Sequence, residues 1–347
     1  MATNKIPAVV DRTDAPGSLA ASPEPRGSSP AFSWGAYIAI ARPDHWFKNI
    51  FMLLGVCLAF FMEPQLVARG WLAQLLMAVA ATCLIASSNY VINEILDAPL
   101  DRLHPTKKYR PVPSGQIHLP AAYLEWIAIG IMGLALAWRV NPPFFLSGAA
   151  LWIAGLLYNI RPIRTKDIPY VDVLSESINN PIRLFLGWFA LVPDKVPPLS
   201  LTIAYWLAGA FFMGAKRFAE YRMINDSEVA GAYRRSFKFY NESRLLVSLF
   251  CYATGCAFFT AIFVVRYHLE LILIAPLIAG FFACYMRVAL KPNSPVQHPE
   301  KLYREKTLML CAGVTFIAFI LLLFTNIPYL YQLFNFTPVR VLPLWVF

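Results

Sequence analysis

The stretch NYVINEILDAPLDRLHPTKKYRPVPSG, residues 89–115, begins as the end of an apolar run and then becomes densely polar. An asparagine or aspartate recurs at every fourth position of its first part: Asn89, Asn93 and Asp97. On a helix, this spacing places the three side chains on one face. Pro99 disfavours continuation of the helix, so we expect Asp101 to lie in the loop that follows. The stretch therefore predicts a helix end that presents oxygen ligands beside a polar loop.

Basic side chains follow these oxygens directly, threaded between prolines: His104, Lys107, Lys108 and Arg110. Mg²⁺ prefers oxygen ligands and is usually bound by one or two carboxylates together with substrate phosphates. Asn93, Asp97 and Asp101 suit that role, and the cations beyond them suit the phosphate oxygens that the metal leaves free. A solvated loop at a helix end is the alternative interpretation. The position of the loop against a membrane span favours a function, because ionisable residues at membrane depth are functional candidates.

The composition is that of a membrane protein. Of the 347 residues, 58% are hydrophobic and 14% are charged, whereas soluble domains have about 45–50% and about 25%. Several apolar runs reach the roughly 20 residues that a helix needs to cross a bilayer core. The six cysteines lie in such runs without metal-ligand or redox spacing, and we interpret them as packing residues. The sequence predicts an all-α, polytopic membrane protein.

The apolar runs divide the chain into one membrane domain and two tails. About nine transmembrane helices are predicted, near residues 47–62, 71–97, 118–138, 142–160, 170–192, 199–222, 243–265, 269–290 and 307–325. Residues 1–31 are rich in Pro, Ser, Gly and Ala, and we expect a disordered cytoplasmic tail there. Residues 32–325 form the predicted transmembrane catalytic domain, with its active site in cytoplasmic polar loops. Residues 326–347 form a predicted extracytoplasmic tail.

The distribution of Lys and Arg predicts how the chain is oriented in a cell membrane. With the N-terminus in the cytoplasm, 24 of the 30 basic residues lie on the cytoplasmic side and 5 on the other. This asymmetry agrees with the positive-inside rule. It also explains the net charge of +10 through membrane lipid and phosphate groups, without nucleic acid as a partner. The polar loops after spans two, four and six would then meet water-soluble cytoplasmic phosphates.

A second polar cluster surrounds the start of span five. Lys166 precedes the span, and four polar residues follow at spacings of four, three and four: Asp172, Glu176, Asn179 and Arg183. On one continuous helix they share a face. Such a stripe is costly in a membrane unless it faces a cavity or is paired internally. Two interpretations stay open, a cavity lining and an ion-pair network of Asp172 and Glu176 with Arg183.

A third cluster, AKRFAEYR, closes span six at residues 215–222. Lys216 and Arg217 lie nearest the bilayer and suggest a phosphate site, with Glu220 within reach of both cations on the same helix. Further cations follow in a basic and aromatic segment: Arg234, Arg235 and Lys238. That segment is typical of anchoring at the level of the lipid headgroups, and we interpret these three residues so.

The chain enters the membrane through RPDHWFKN, residues 42–49. Its cations, Arg42 and Lys48, suit a membrane anchor and a phosphate contact equally well. No HExxH, GxSxG, Walker or GxGxxG pattern occurs in the chain, which disfavours hydrolases and nucleotide-driven motors. A transporter is a further alternative, but it should carry polar breaks near the membrane midplane in paired repeats. Here the polar clusters lie at span ends and no clear internal repeat is found.

Residues 93–115 resemble the first Asp-rich motif of the UbiA superfamily of intramembrane prenyltransferases, NDxxDxxxD. About nine spans with this motif after the second are also similar to that family, over roughly residues 38–325. Glu94 stands where the family usually has Asp. On a helix its side chain points away from the face shared by Asn93 and Asp97, so this difference leaves the motif intact.

A second departure concerns the end of span six, where aromatic-substrate prenyltransferases carry another Asp-rich motif. Here the chain has Lys216, Arg217 and a single acid, Glu220. Cations in place of acids favour direct phosphate binding over metal–diphosphate binding. RPxxWxKN at the entry and KRxAE after span six are similar to the decaprenyl-phosphate phosphoribosyltransferase branch. That branch transfers 5-phosphoribose from phosphoribosyl diphosphate to a polyprenyl phosphate for cell-wall or surface glycan synthesis.

The resemblance implies a role for each candidate residue. Asn93, Asp97 and Asp101 would hold Mg²⁺ on the donor diphosphate. Asp97, Asp101, Lys107 and Arg110 would form the catalytic set, with Lys107 and Arg110 neutralising the leaving pyrophosphate. Four cations would place the lipid phosphate: Lys166, Arg183, Lys216 and Arg217. Asp172 would contact ribose hydroxyls or a water in the metal shell, and Lys48, Asn89 and Glu220 complete the substrate-binding set. Transfer of a prenyl group to an aromatic or other acceptor is the alternative.

Overall fold

The computed structural model describes residues 34–68, 70–102, 107–297 and 299–334, and these ranges contain helices and no strand. The all-α prediction is therefore confirmed. The predicted tail 1–31, residues 335–347 of the predicted C-terminal tail and His104 lie outside the described residues.

The α-helices follow one another along the described ranges with short connections. They are α1 (Trp34–Ala41), α2 (Leu53–Met62), α3 (Trp71–Asp101), α4 (Leu119–Val140), α5 (Pro142–Asn159), α6 (Val171–Ser177), α7 (Asn179–Phe189), α8 (Leu199–Ile224), α9 (Ser227–Tyr233), α10 (Glu242–Tyr267), α11 (Ala275–Ala289), α12 (Lys306–Leu323) and α13 (Pro328–Leu333). Short 3₁₀ helices connect several of them: Pro43–Met52, Pro64–Ala68, Lys107–Tyr109, Thr165–Asp167, Arg235–Lys238, Leu269–Ile274, Pro295–Gln297 and Pro299–Arg304.

Seven helical stretches in the described ranges are long and apolar enough to cross a membrane. They are Trp34–Met62, Trp71–Asp101, Leu119–Val140, Leu199–Ile224, Glu242–Tyr267, Leu269–Ala289 and Lys306–Leu323. The predicted spans four and five correspond to α5 and to the pair α6 and α7, which do not reach that length and apolarity. A multi-pass membrane protein is supported, but the count of nine spans is not confirmed.

Helix α3 differs from its prediction at the C-terminal end, because it continues through Pro99 to Asp101. The Arg102 amide donates to the Ala98 carbonyl at 3.0 Å, so the helical turn closes beyond the proline. Proline removes its own N–H donor and crowds the preceding turn, but the residues after Pro99 can still donate to carbonyls one turn back. Asp101 is therefore a helical residue one turn after Asp97, not a loop residue.

The helix predicted for span five is interrupted at Ile178, between α6 and α7. Pro181 follows three residues later and has no backbone N–H to donate to the Ser177 carbonyl, so the regular bonding pattern lapses there. At this break, the Asn179 side chain donates through Nδ2 to the Glu176 carbonyl at 2.9 Å. The break separates the acidic end of the span, in α6, from Arg183 in α7.

The central packing of the bundle joins early and late parts of the chain. Helix α3 packs against α4 and α5, α8 against α10, and α2 against α7. The α2–α7 crossing is so close that a methyl group at Gly187 would meet the main-chain oxygen of Met52. A methyl group at Gly55 would likewise meet the main-chain oxygen of Leu184. Two glycines thus let the first membrane helix lie directly against the second half of span five.

Replacing Gly187 tests this close approach. We expect Gly187→Ala to lower the free energy of unfolding by about 1–3 kcal/mol, since the neighbour is backbone and cannot move aside cheaply. Gly280→Ala is the matched control, because a methyl group there meets nothing within 4 Å and alanine favours a helix. Thermal unfolding in detergent measures both. Equal melting temperatures of the two variants would contradict the crossing described above.

Candidate active site

The two acids of the first cluster each hold cations at the C-terminal end of α3. Asp97 Oδ1 accepts from Lys166 Nζ at 2.5 Å and from Arg164 Nη2 at 3.3 Å. Asp101 Oδ2 accepts from Arg110 Nη1 at 2.8 Å, and Lys107 Nζ lies 3.9 Å from its other oxygen. The sequence prediction placed these acids beside the basic loop, and the structure brings them together with it and with the loop after α5.

The loop that carries Lys107 and Arg110 is held against α3 by Glu94. The Val112 amide donates to Glu94 Oε1 at 3.2 Å, and only 4% of Glu94 is exposed. Glu94 therefore faces the base of the loop, consistent with a side chain that points away from Asn93 and Asp97. Burial lowers the pKa of Lys107, while Asp101 opposes this change and Asp97 and Glu220 also lie within electrostatic range. Lys107 of this loop thus lies within electrostatic range of acids on both α3 and α8.

Arg217 is the centre of a second ionic cluster, and it is almost completely enclosed. Only 1% of it is exposed, and its guanidinium meets three carboxylates. Nε lies 3.2 Å from Asp172, Nη2 lies 2.5 Å from Glu176 and Nη1 lies 3.1 Å from Glu220. These acids come from α6 and α8, so one side chain joins the two helix ends. The alternative in which Asp172 and Glu176 pair with Arg183 is not what the structure shows.

Asp172 is fully buried and has four donors around it. Besides Arg217, it meets Arg234 Nη2 at 3.2 Å, and it accepts from Ser236 Oγ at 3.3 Å and from Tyr240 Oη at 2.6 Å. Burial and the Asp172 carboxylate raise the pKa of Tyr240, which therefore stays a hydrogen donor. A direct contact of Asp172 or Arg217 with substrate stays a prediction. In this arrangement both side chains are enclosed within the protein.

The two clusters are joined through Lys166 and Arg234. Arg234 Nη2 donates to the Lys166 carbonyl at 3.3 Å and to Tyr158 Oη at 3.4 Å, and Tyr158 donates to Glu176 at 3.0 Å. Lys166 Nζ also donates to Asn159 Oδ1 at 2.9 Å. Burial lowers the pKa of Lys166, and the Asp97 carboxylate opposes this change.

We call this assembly the acidic network. In the part of the chain that the structure describes, it contains six carboxylates, Asp97, Asp101, Asp167, Asp172, Glu176 and Glu220. It contains six cations, Lys107, Arg110, Arg164, Lys166, Arg217 and Arg234. The formal charges therefore balance within the network.

Three candidate cations form no hydrogen bond or ion pair with the described carboxylates of the acidic network: Arg183, Lys48 and Lys216. Arg183 Nε donates to Asn49 Oδ1 at 3.1 Å and Nη1 donates to the Asn179 carbonyl at 3.3 Å. Lys48 Nζ contacts His45 Nδ1 at 3.0 Å. Lys216 is half-buried and makes no hydrogen bond or ion pair with any residue that the structure describes. Lys48 lies within electrostatic range of both other cations, so the three side chains share one region.

Asn89 occupies a different position from the other candidates. Its Nδ2 donates to the Leu151 carbonyl at 2.9 Å, and its side chain packs against Gly155 where α3 crosses α5. Its assignment to substrate binding stays a prediction. Arg234 and Tyr240 are the residues that the sequence interpretation missed, because a basic and aromatic segment has the same pattern whether it faces lipid headgroups or a buried acid.

The donor chemistry at the end of α3 fits a Mg²⁺ ion. Asp97 Oδ2 and the Asn93 amide have no hydrogen-bond partner among the described residues, and the Lys107 contact to Asp101 Oδ1 is longer than a hydrogen bond. Within the described ranges, no group of three His, Cys, Asp or Glu side chains could hold a metal ion. A Mg²⁺ ion here would need the Asn93 oxygen and substrate phosphates, which is its usual mode of binding.

The helical bundle corresponds to a known family of membrane transferases. Residues 49–304 match the UbiA prenyltransferase family, and the chain belongs to that family. The predicted resemblance is thereby confirmed. The fold is similar to that of a UbiA homologue from Archaeoglobus fulgidus bound to DMAPP and Mg²⁺, with a TM-score of 0.62 and 20% identity. That similarity covers 82% of this chain and 98% of the other.

Two relatives whose names state an activity are similar to parts of this chain. Decaprenyl-phosphate phosphoribosyltransferase of Mycobacterium tuberculosis is 27% identical over 217 residues, which cover 62% of this chain and 69% of that protein. Digeranylgeranylglyceryl phosphate synthase of Saccharolobus solfataricus is 31% identical over 145 residues, which cover 41% of this chain and 48% of that protein.

The neighbours Lys216 and Arg217 provide a matched test of the acidic network. We expect Arg217→Met to lower the free energy of unfolding by about 3–5 kcal/mol, because it leaves three carboxylates without their shared cation. We expect Lys216→Met to change it by no more than about 0.5 kcal/mol, since that ammonium forms no hydrogen bond or ion pair with a described residue. Thermal unfolding in detergent compares them. A similar loss in both variants would show that Arg217 does not hold the helix ends together.

Proposed function

We propose that this protein transfers 5-phosphoribose from phosphoribosyl diphosphate to a polyprenyl phosphate, for cell-wall or surface glycan synthesis. One observation supports this proposal most: the candidate site contains two different regions. The first is an acid-bearing helix end beside a basic loop, and the second is a set of cations that form no ion pair with a described carboxylate. The two regions suit two anionic substrates. The 27% identity to a decaprenyl-phosphate phosphoribosyltransferase supports the same reaction. The N-terminus would lie in the cytoplasm and the C-terminus outside, as the basic residues predict.

Asn93, Asp97 and Asp101 would hold Mg²⁺ together with the donor diphosphate. The ion would supply Lewis-acid stabilisation of charge on the diphosphate oxygens. Lys107 and Arg110 already lie at Asp101, so both cations stand where charge accumulates on the leaving pyrophosphate. Lys166 and Arg164 bind only one oxygen of Asp97, which leaves the other available as a ligand.

The bond from the anomeric carbon to the diphosphate breaks, and a bond from that carbon to an oxygen of the lipid phosphate forms. The electron pair of the breaking bond leaves with pyrophosphate. The attacking phosphate is already anionic, so the protein needs to position it more than to deprotonate it. Lys216, Arg183 and Lys48 provide that positioning. Arg217 and Asp172 fix the ends of α6 and α8, and α8 carries Lys216.

Prenyl transfer from a prenyl diphosphate to an aromatic or other acceptor is the second candidate. The A. fulgidus structure with DMAPP and Mg²⁺ favours it, as does the similarity to a digeranylgeranylglyceryl phosphate synthase. Against it stands the end of α8, where Lys216 and Arg217 replace a second group of acids. The single acid there, Glu220, is already paired with Arg217 at 3.1 Å.

Replacement of the α3 acids tests the proposed reaction. Membranes containing the full-length protein are supplied with Mg²⁺, labelled phosphoribosyl diphosphate and polyprenyl phosphate, and label in the lipid fraction is measured. We expect Asp97→Asn and Asp101→Asn to reduce transfer at least about 100-fold, since each removes charge from the diphosphate site. Removal of Mg²⁺ with EDTA should abolish transfer, and added Mg²⁺ should restore it.

Asp194→Asn is the matched control for these variants. Asp194 is exposed in the connection between α7 and α8, outside the acidic network, and its replacement should leave transfer unchanged. Transfer retained in both Asp97→Asn and Asp101→Asn would overturn the mechanism. Turnover of a prenyl diphosphate with an aromatic acceptor, without any phosphoribosyl transfer, would establish the second candidate instead.

A further inference from the structure

A groove lies on an exposed face of α10, at the end of that helix nearest the acidic network. It has a volume of about 430 Å³, and Tyr170, the residue before α6, bounds it on one side. The rest of its lining comes from α10: Ser243, Arg244, Val247, Ser248, Cys251 and Tyr252. Pairs of neighbours that recur every four positions form one stripe on a helix, so the groove follows α10 for about 13 Å.

The groove is polar at one end and apolar along most of its length. Ser243 and Arg244 lie in the first turn of α10, and both are exposed. Val247 and Cys251 follow one and two turns later, and they are exposed as well. Because α10 is long and apolar enough to cross a membrane, its first turn belongs at the level of the lipid headgroups and the next turns at the level of the acyl chains. The polarity of the groove thus changes in the same direction as that of a phospholipid.

Arg244 forms no ion pair with a carboxylate of any residue that the structure describes. Its Nη1 donates to the Phe239 carbonyl at 2.7 Å, which orients the guanidinium and leaves its other donors without a described partner. The acid closest in sequence, Glu242, instead contacts Arg222 Nε at 3.5 Å. A guanidinium that is oriented by a neutral oxygen and has no acid beside it is well suited to bind a phosphate group.

Tyr170 connects the groove to the acidic network. Its backbone amide donates to Tyr240 Oη at 2.5 Å, and Tyr240 Oη donates to Asp172 Oδ1 at 2.6 Å. The rings of the two tyrosines also meet edge-on, with their centroids 5.3 Å apart. Tyr170 has a φ of 64°, a conformation that tyrosine rarely adopts, so these contacts must hold it in place. A ligand that packs against the exposed part of Tyr170 would therefore steady the surroundings of Asp172.

We propose that this groove binds an anionic phospholipid of the surrounding membrane, and that the bound lipid stabilises the acidic network through Tyr170 and Tyr240. Arg244 and the Ser243 hydroxyl bind the lipid phosphate, and an acyl chain lies against Val247 in the apolar part of the groove. The inference goes beyond the proposed function, because this lipid is neither the phosphoribosyl donor nor the acceptor.

Charge and position favour an anionic phospholipid over other occupants. Two more exposed cations, Arg235 and Lys238, lie in the 3₁₀ helix that precedes α10. In the orientation that we propose, this end of α10 meets the cytoplasmic leaflet, whose anionic lipids attract basic segments. A water-soluble phosphate would use only the polar end of the groove. Neither Asp97 nor Asp101 lines the groove, so a lipid bound in it is not placed for reaction at the diphosphate site.

Titration of phosphatidylglycerol into delipidated full-length protein in detergent tests the site. The melting temperature reports binding, because a ligand of the folded state stabilises it. We expect Arg244→Gln to weaken the apparent affinity for dioleoylphosphatidylglycerol about fivefold, since it removes one cation at the membrane surface. Val247→Trp places a large ring in the apolar part of the groove and should weaken binding at least as much. Dioleoylphosphatidylcholine and glycerol 3-phosphate are the comparison probes, and both should stabilise the wild type less.

Arg266→Gln and Val265→Trp are the matched controls for these two variants. Both residues are exposed on α10 but lie near its other end, outside the groove. Each control carries the same chemical change as its counterpart, and its affinity for phosphatidylglycerol should equal that of the wild type. Melting temperatures measured without lipid show that all four variants are folded.

Hydrogen exchange of the backbone amides tests the connection to the acidic network. We expect phosphatidylglycerol to slow exchange in α6 of the wild type, because the bound lipid holds Tyr170 at the start of that helix. Tyr240→Phe removes the hydroxyl that joins Tyr170 to Asp172. This variant should bind phosphatidylglycerol as the wild type does and show no slowing in α6.

The outcomes distinguish the possible occupants of the groove. Unchanged phosphatidylglycerol affinity in both Arg244→Gln and Val247→Trp would overturn the site. Equal stabilisation by phosphatidylcholine would contradict the need for an anion, and equal stabilisation by glycerol 3-phosphate would contradict a lipid. Displacement of phosphatidylglycerol by farnesyl phosphate at equal concentration would assign the groove to an isoprenoid lipid instead. Binding without slower exchange in α6 would refute the connection through Tyr170. None of these results depends on whether the protein transfers phosphoribose.

Discussion

The contact of one buried guanidinium with three carboxylates is the interaction on which the candidate active site depends. Arg217 brings together acids from α6 and α8, and Asp172 extends the same cluster to Arg234 and Tyr240 beyond α9. None of these charges could remain at this depth alone, because removing a single ion from water costs several kcal/mol even after the surroundings relax. Each partner therefore fixes the others, and the loops after α5 and α8 are held at one end of the bundle.

Because the formal charges within this network balance, the positive charge of the neighbouring cations is not offset by the network. The acids that α6 and α8 contribute are paired with Arg217, whereas Arg183 and Lys216 form no ion pair with any residue that the structure describes. The protein thus places a neutral, rigid assembly beside a region of positive potential. In the function that we propose, the rigid part orients the donor site and the positive part attracts an anionic lipid. The two substrates would be kept distinct by electrostatics as well as by shape.

Local patterns in the sequence predicted much of this arrangement. Apolar run length gave the helical membrane fold, and four-residue spacing put Asn93 and Asp97 on one face, because both features depend on residues close in sequence. The sequence did not predict that α3 continues through Pro99 or that span five breaks at Ile178. The effect of a proline on a helix depends on its surroundings, which local patterns do not reveal. Which acid pairs with which cation could not be read from spacing. Arg183 shares a helical stripe with Asp172, yet the break in the span leaves it bonded to Asn49 instead.

The hydrogen bond from Val112 to Glu94 links residues only 18 positions apart, and the Asp101–Arg110 pair spans nine. These two contacts are therefore local and can form as soon as α3 and the following loop have left the ribosome, whereas Asp97 must await Arg164 and Lys166, which follow 67 and 69 positions later. The other half needs partners much farther along the chain: 45 positions separate Asp172 from Arg217, and 134 separate Asn49 from Arg183. Closing loops of that length is slow compared with a local turn. During membrane insertion, Asn49 can consequently bond to Cys83 on α3 long before α7 brings Arg183 to its other side-chain atom, and the contacts of the site form in the order in which their partners enter the membrane.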